Sequence, residues 1–175
     1  MKKTFIILLL IAPFHTTQAF TFGDVVDWIK PLWQWQQDES SIQFELTDTK
    51  GNIHTHKTTH GKYLVINFWA TWCTPCLNEI PAFVKFYDQH SDQVEILGLD
   101  YEPIDLKAIE EFSARFAINY PVILYNDKNG AEYLKFGDIL GMPTTQIYNP
   151  EGELMQTFIG EISIEDLEKF IPSSS

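Results

Sequence analysis

Tyr63-Leu64-Val65-Ile66-Asn67-Phe68-Trp69-Ala70-Thr71-Trp72-Cys73-Thr74-Pro75-Cys76 is the stretch on which the reading of this chain turns. Residues 63–69 are a near-continuous apolar run of strand length, the pattern of a central strand covered on both faces. Both cysteines of the chain follow directly. Beyond them Leu77, Ile80, Phe83, Val84 and Tyr87 recur at helical spacing. A strand passing into a helix here puts Cys73 at the helix N-terminus, where unpaired N–H groups and the positive end of the macrodipole favour a thiolate over a thiol. Pro75 suits the first turn, where its missing N–H has no partner to lose. Pro81 falls inside the stripe and is expected to kink the helix.

The thiolate is the attacking species in disulfide exchange, and depressed pKa values are typical of Cys-X-X-Cys at helix starts. Cys76, one turn along, is expected to be more enclosed and able to approach the Cys73 sulfur, and Trp72 to pack beside the site and limit solvent access. A structural staple explains the pair poorly, because a two-residue spacer closes almost no loop. Tetrahedral zinc needs two more soft ligands, and no second cysteine pair exists.

Working outward, Ile42–Leu46 and Ile53–Lys57 read as two short strands around Thr47-Asp48-Thr49-Lys50-Gly51-Asn52, a hairpin. Val94–Leu99 is a second apolar strand, Asp105–Phe116 has helical spacing, and Val122–Tyr125 is a third strand after Pro121. A short helix is expected around Ala131–Phe136. Thr144–Tyr148 and Leu154–Ile159, joined by Asn149-Pro150-Glu151-Gly152-Glu153, read as an antiparallel hairpin, and Ser163 starts a last helix with Ile164, Leu167, Phe170 and Ile171 on one face. This order is that of an α/β protein with a mixed sheet.

Residues 67–76, with Glu79 and Pro81 following, resemble the active-site segment of the thioredoxin superfamily, specifically its exported TlpA/ResA-like branch of thiol-disulfide oxidoreductases. Gly141-Met142-Pro143-Thr144-Thr145 resembles the loop that carries a cis proline opposite the cysteines. The resemblance spans roughly residues 41–171 and implies a thioredoxin-like fold, a central mixed sheet flanked by helices, with an added N-terminal β-hairpin. It implies that Cys73 is the nucleophile, Cys76 the resolving thiol, the two forming a redox-active disulfide, and Pro143 the cis proline. Trp72, Thr74, Pro75 and Met142 are the implied substrate contacts. Asn67 stands where thioredoxin itself usually has a buried Asp, and Asn cannot titrate. Glu79 matches an acid of the TlpA/ResA-like branch; lying on the same helix face as Cys76, it is placed to accept that thiol's proton, the alternative being a surface acid. The branch further implies reduction of protein disulfides, such as those of an apocytochrome c in cytochrome c biogenesis, with electrons from a membrane thiol-disulfide transporter and no cofactor.

Other classes fit less well. Copper chaperones of the same fold typically use a three-residue spacer and a distant His; a peroxidase needs its own motif around the thiolate; an oxidant or isomerase would share the dithiol but differ in potential. His54, His56 and His60 invite a metal, with His54 and His56 on one face of the expected strand, yet exposed polar alternation explains them equally well.

At 175 residues, 45% hydrophobic and 14% aromatic, the chain suits one well-cored domain and not a disordered or repetitive one. Its formal charge of −12 speaks against nucleic acid as a partner. Lys2 and Lys3, the apolar run Phe5–Phe14 and Thr17-Gln18-Ala19 read as an export signal over residues 1–19, cleaved before Phe20, which leads to an oxidising periplasm. The apolar run is too short for a bilayer, which takes about 20 residues, so no stable membrane insertion is expected after cleavage; an uncleaved anchor is the alternative. Residues 20–40, with Trp28, Trp33 and Trp35, form an N-terminal extension, and 41–175 the thioredoxin-like domain.

Overall fold

The computed structural model describes residues 41–59 and 61–172; residues 1–40, on which the expected export signal and the Trp-rich extension fall, His60 and residues 173–175 lie outside the described residues. The elements are β1 (Glu45–Thr47), β2 (Ile53–Thr55), α1 (His56–Thr59), β3 (Tyr63–Trp69), α2 (Thr74–His90), β4 (Val94–Asp100), α3 (Leu106–Arg115), β5 (Val122–Leu124), α4 (Gly130–Tyr133) with a following turn of 3₁₀ helix, β6 (Thr144–Tyr148), β7 (Leu154–Ile159) and α5 (Ile164–Glu168).

Five strands form one sheet in the order β5-β4-β3-β6-β7. The first three run parallel, while β6 is antiparallel to both β3 and β7. The apolar run 63–69 is therefore the middle strand, buried almost throughout. Pleating sends Leu64, Ile66 and Phe68 to one face, where they meet Leu97, Leu99 and Tyr133. Val65 goes to the other, against Phe83, Phe86 and Ile96. Each fully buried side chain of this size contributes about 1.5–3 kcal/mol, so the alternation commits β3 to its register.

The N-terminal hairpin is present but shorter than its apolar pattern suggests. Asp48 holds its turn, accepting from the N–H of Lys50 at 2.9 Å and of Asn52 at 2.8 Å, with Gly51 at φ 86°. Thr49 N–H donates to Val122 O at 2.9 Å, fastening the hairpin at the β5 edge. The expected second strand ends at Thr55 rather than Lys57, because the Thr58 and Thr59 hydroxyls bond back to Thr55 O and start the turn of α1. His54 and His56 consequently do not share a strand face. His54 instead meets Asp48 Oδ2 at 3.1 Å. Among the described residues no cluster of three His, Cys, Asp or Glu is arranged to hold a metal ion.

Helix α2 runs unbroken through Pro81, which sits on its exposed side. The last helix is capped by reciprocal bonds between Ser163 and Asp166. It ends at Glu168, and Ile171 beyond it is fully buried.

Candidate active site

Cys73 is the N-cap of α2, with extended φ −86° and ψ 98°, and no side chain caps the helix there. The first-turn N–H groups are left facing the cysteine end of the helix. A three-residue separation carries Cys76 one turn along, and the two are joined as a disulfide with Cα atoms 5.3 Å apart. Cys73 retains 5% exposure and Cys76 none, so only the first sulfur has a route to a partner protein. They pack with Trp69, Ala70 and Ile80 at the C-terminal end of β3. Thr74 and Pro75 are exposed. Trp72 departs from expectation: at 65% exposure it is turned to solvent and does not close the site, a role left to the buried Trp69 and its neighbours.

On the other side Met142 packs half-buried against the same cluster, and its bond to Pro143 is cis. Pro143 O accepts from Gly160 N–H at 2.8 Å, and Thr144 Oγ1 donates to Gly141 O at 2.7 Å. Among the described residues the backbone of Met142 makes no hydrogen bond.

Glu79 is 1% exposed, which removes the surface-acid alternative. Asn67 Nδ2 donates to its Oε1 at 2.8 Å, and Ile162 N–H to its Oε2 at 3.2 Å. Burial drives its pKa up to about 7, against the opposing pull of these two bonds and with a smaller push from Glu161. Asn67 also donates to Thr145 Oγ1 at 3.1 Å. The non-titrating residue of β3 thus aims the titrating residue of α2 and ties both to β6. The Ile162 and Thr145 contacts were not legible in the sequence, since they join segments distant along the chain.

Gly98, the register partner of Asn67, was likewise not singled out as part of the site. A Cβ there would lie 3.0 Å from both Trp69 Nε1 and Tyr120 Cε2. Both rings are buried in the core. Gly98→Ala is expected to cost about 1–3 kcal/mol, read as a lower midpoint in urea denaturation; unchanged stability would show that the rings give way.

This geometry has counterparts among known proteins. The AhpC/TSA family matches residues 38–157. Thiol-disulfide oxidoreductase ResA of Geobacillus kaustophilus is 34% identical over 131 residues, covering 74% of this chain and 73% of that protein. Thioredoxin-like protein YneN of Bacillus subtilis is 25% identical over 138 residues, covering 77% and 78%. The crystal structure of StoA from Bacillus subtilis is similar with a TM-score of 0.61 at 29% identity, covering 72% of this chain and 93% of that one. Sequence and fold converge: the chain belongs to the AhpC/TSA family, which here has the thioredoxin fold, and stands among its ResA-like thiol-disulfide oxidoreductases.

Proposed function

We propose that this oxidoreductase works as an exported reductase of protein disulfides, cycling between the Cys73–Cys76 dithiol and disulfide. In the reduced protein the Cys73 thiolate attacks one sulfur of a client disulfide, forming a mixed disulfide and expelling the other client sulfur as thiolate. Cys76 then gives up its proton and attacks Cys73 Sγ. The second client thiolate leaves, and the client has gained the two electrons the dithiol has lost. Glu79 is the acceptor of the Cys76 proton, and the client strand lies along Met142 and Pro143, between them and the exposed Trp72, Thr74 and Pro75.

The observation that carries this reading is the buried carboxyl of Glu79, one turn from a fully enclosed Cys76 and with its pKa near 7. A sealed thiol has no water to take its proton, so resolution depends on a base of matched pKa. The same carboxyl also bears on direction. An acid that becomes anionic beside the dithiol opposes the thiolate, whereas strong oxidants owe their potential to a stabilised reduced form. Export is supported by the signal-like residues 1–19, and a reductase in an oxidising compartment needs recharging, for which a membrane thiol-disulfide transporter is the proposed donor. An apocytochrome c is one client of the required chemistry.

Equilibration with glutathione tests the direction. A potential near about −270 mV is expected, and one near about −120 mV would make the protein a disulfide donor.

A further inference from the structure

A pair of acids lies beside the segment that leads into Cys73, and the exchange steps above make no use of it. Asp100 ends β4, in register with Trp69, and is fully buried. Among the described residues no N–H or O–H donates to either of its carboxyl oxygens. The side chain that meets it is Glu102, another acid. Glu102 in turn accepts the Thr71 N–H at 2.6 Å, two residues before Cys73, while Tyr101 N–H donates to Trp69 O at 2.8 Å. The turn carrying the nucleophile is thereby pinned to the loop after β4.

Two carboxylates facing each other are both acceptors, and they bond only if a proton lies between them. Leaving Asp100 ionised, buried and without a donor would be strongly unfavourable. We propose that Asp100 and Glu102 share one proton, Asp100 O–H donating to Glu102, and that this acid–carboxylate pair positions the Thr71–Cys73 segment through the Thr71 N–H. Asp100 and Glu102 are positioning residues in this scheme. Their bearing on turnover rests on the exchange function proposed above; the pairing itself does not.

The surroundings favour the shared proton. Besides Glu102, the titratable group that bears on Asp100 is Tyr133 of α4, whose hydroxyl donates to Ile123 O at 2.9 Å and to Asp100 O at 3.2 Å. Burial keeps that phenol neutral well beyond its ordinary range, and Tyr101 and Tyr125 pack against it. No Lys, Arg or His among the described residues forms an ion pair with either acid. Burial first, then the Glu102 charge, hold Asp100 protonated up to about pH 8. Above that, repulsion falls on Glu102, which is only half-buried, and on this proposal it turns outward and releases Thr71.

Amide spectra of ¹⁵N-labelled full-length protein in its disulfide form, in which neither cysteine titrates, test this between about pH 6 and about pH 10. The Thr71 amide is expected to show an alkaline step with a midpoint near 8. In Asp100→Asn, whose amide mimics the protonated acid, that step is lost and the signal stays at its neutral-pH position. In Glu102→Gln, which removes the repelling charge, the step moves to lower pH by about one unit or more, a tenfold change in proton concentration. A flat Thr71 profile in the wild type, or the same step in all three proteins, would overturn the proposal. An inactive wild type that shows the step would refute the exchange function and leave the pair standing, and an active one without it would do the reverse.

Discussion

Cys73→Ser is expected to lower disulfide exchange by at least about a thousandfold, since the one thiol it leaves, Cys76, is fully buried and has no route to a client disulfide. Cys76→Ser is expected to fail differently. Its Cys73 still attacks, but without a resolving thiol the client stays attached. Insulin reduction followed by turbidity, together with non-reducing gels, separates the two outcomes: no adduct with the first variant, an accumulating adduct with the second. Capture by Cys73→Ser and none by Cys76→Ser would reverse the roles. The 5% exposure of Cys73 against none for Cys76 is the physical ground for this order of attack.

Glu79→Gln is the second large effect, and it acts on both rate and stability. Losing a positioned base is worth about 10²–10⁴ in rate at most, and the slowed step should be release of the mixed disulfide, with initial attack by Cys73 retained. Wild-type resolution should rise with pH through about 7 as Glu79 ionises, and the variant should lack that rise. An identical pH profile in the two proteins would remove Glu79 from the mechanism. For stability the sign follows from a folded-state pKa of about 7 against an ordinary 4.5. The folded protein holds this proton more tightly, so the contribution is complete below about pH 4.5 and is lost as pH rises through about 7, by about 3 kcal/mol in all. Urea denaturation across that range should show a shallower fall for Glu79→Gln. Some slope persists, because Asp100 is shifted in the same direction. An unchanged slope would mean that the carboxylate is better solvated than its burial indicates.

How much of this was legible in the sequence depended on the range of the interaction concerned. The unbroken apolar run of β3 and the helical stripe after it placed Cys73 at a helix start, because both patterns are local and strong. Hairpin ends were misjudged for a local reason too: at 53–57 the strand-like alternation competes with threonine hydroxyls that bond back to the backbone, and the hydroxyls win. Trp72 was misplaced because composition records that a ring is large and apolar and not which way the chain turns it. Glu79 could be proposed from its spacing to Cys76, but its burial could not, since Asn67, Thr145 and Ile162 come from three other segments. Asp100 and Glu102 carried no signal at all. Two acids two residues apart at a strand end look like solvated surface until the fold closes over one of them.

The most direct test of the central claim is the ionisation of Cys73 in the reduced protein, followed by pH-dependent iodoacetamide labelling with the modified residue located by mass spectrometry. A thiolate stabilised by the start of α2 should label with a midpoint clearly below the value of about 8.5 for a free thiol. A midpoint at or above about 8.5 would contradict the claim that the helix terminus activates this sulfur.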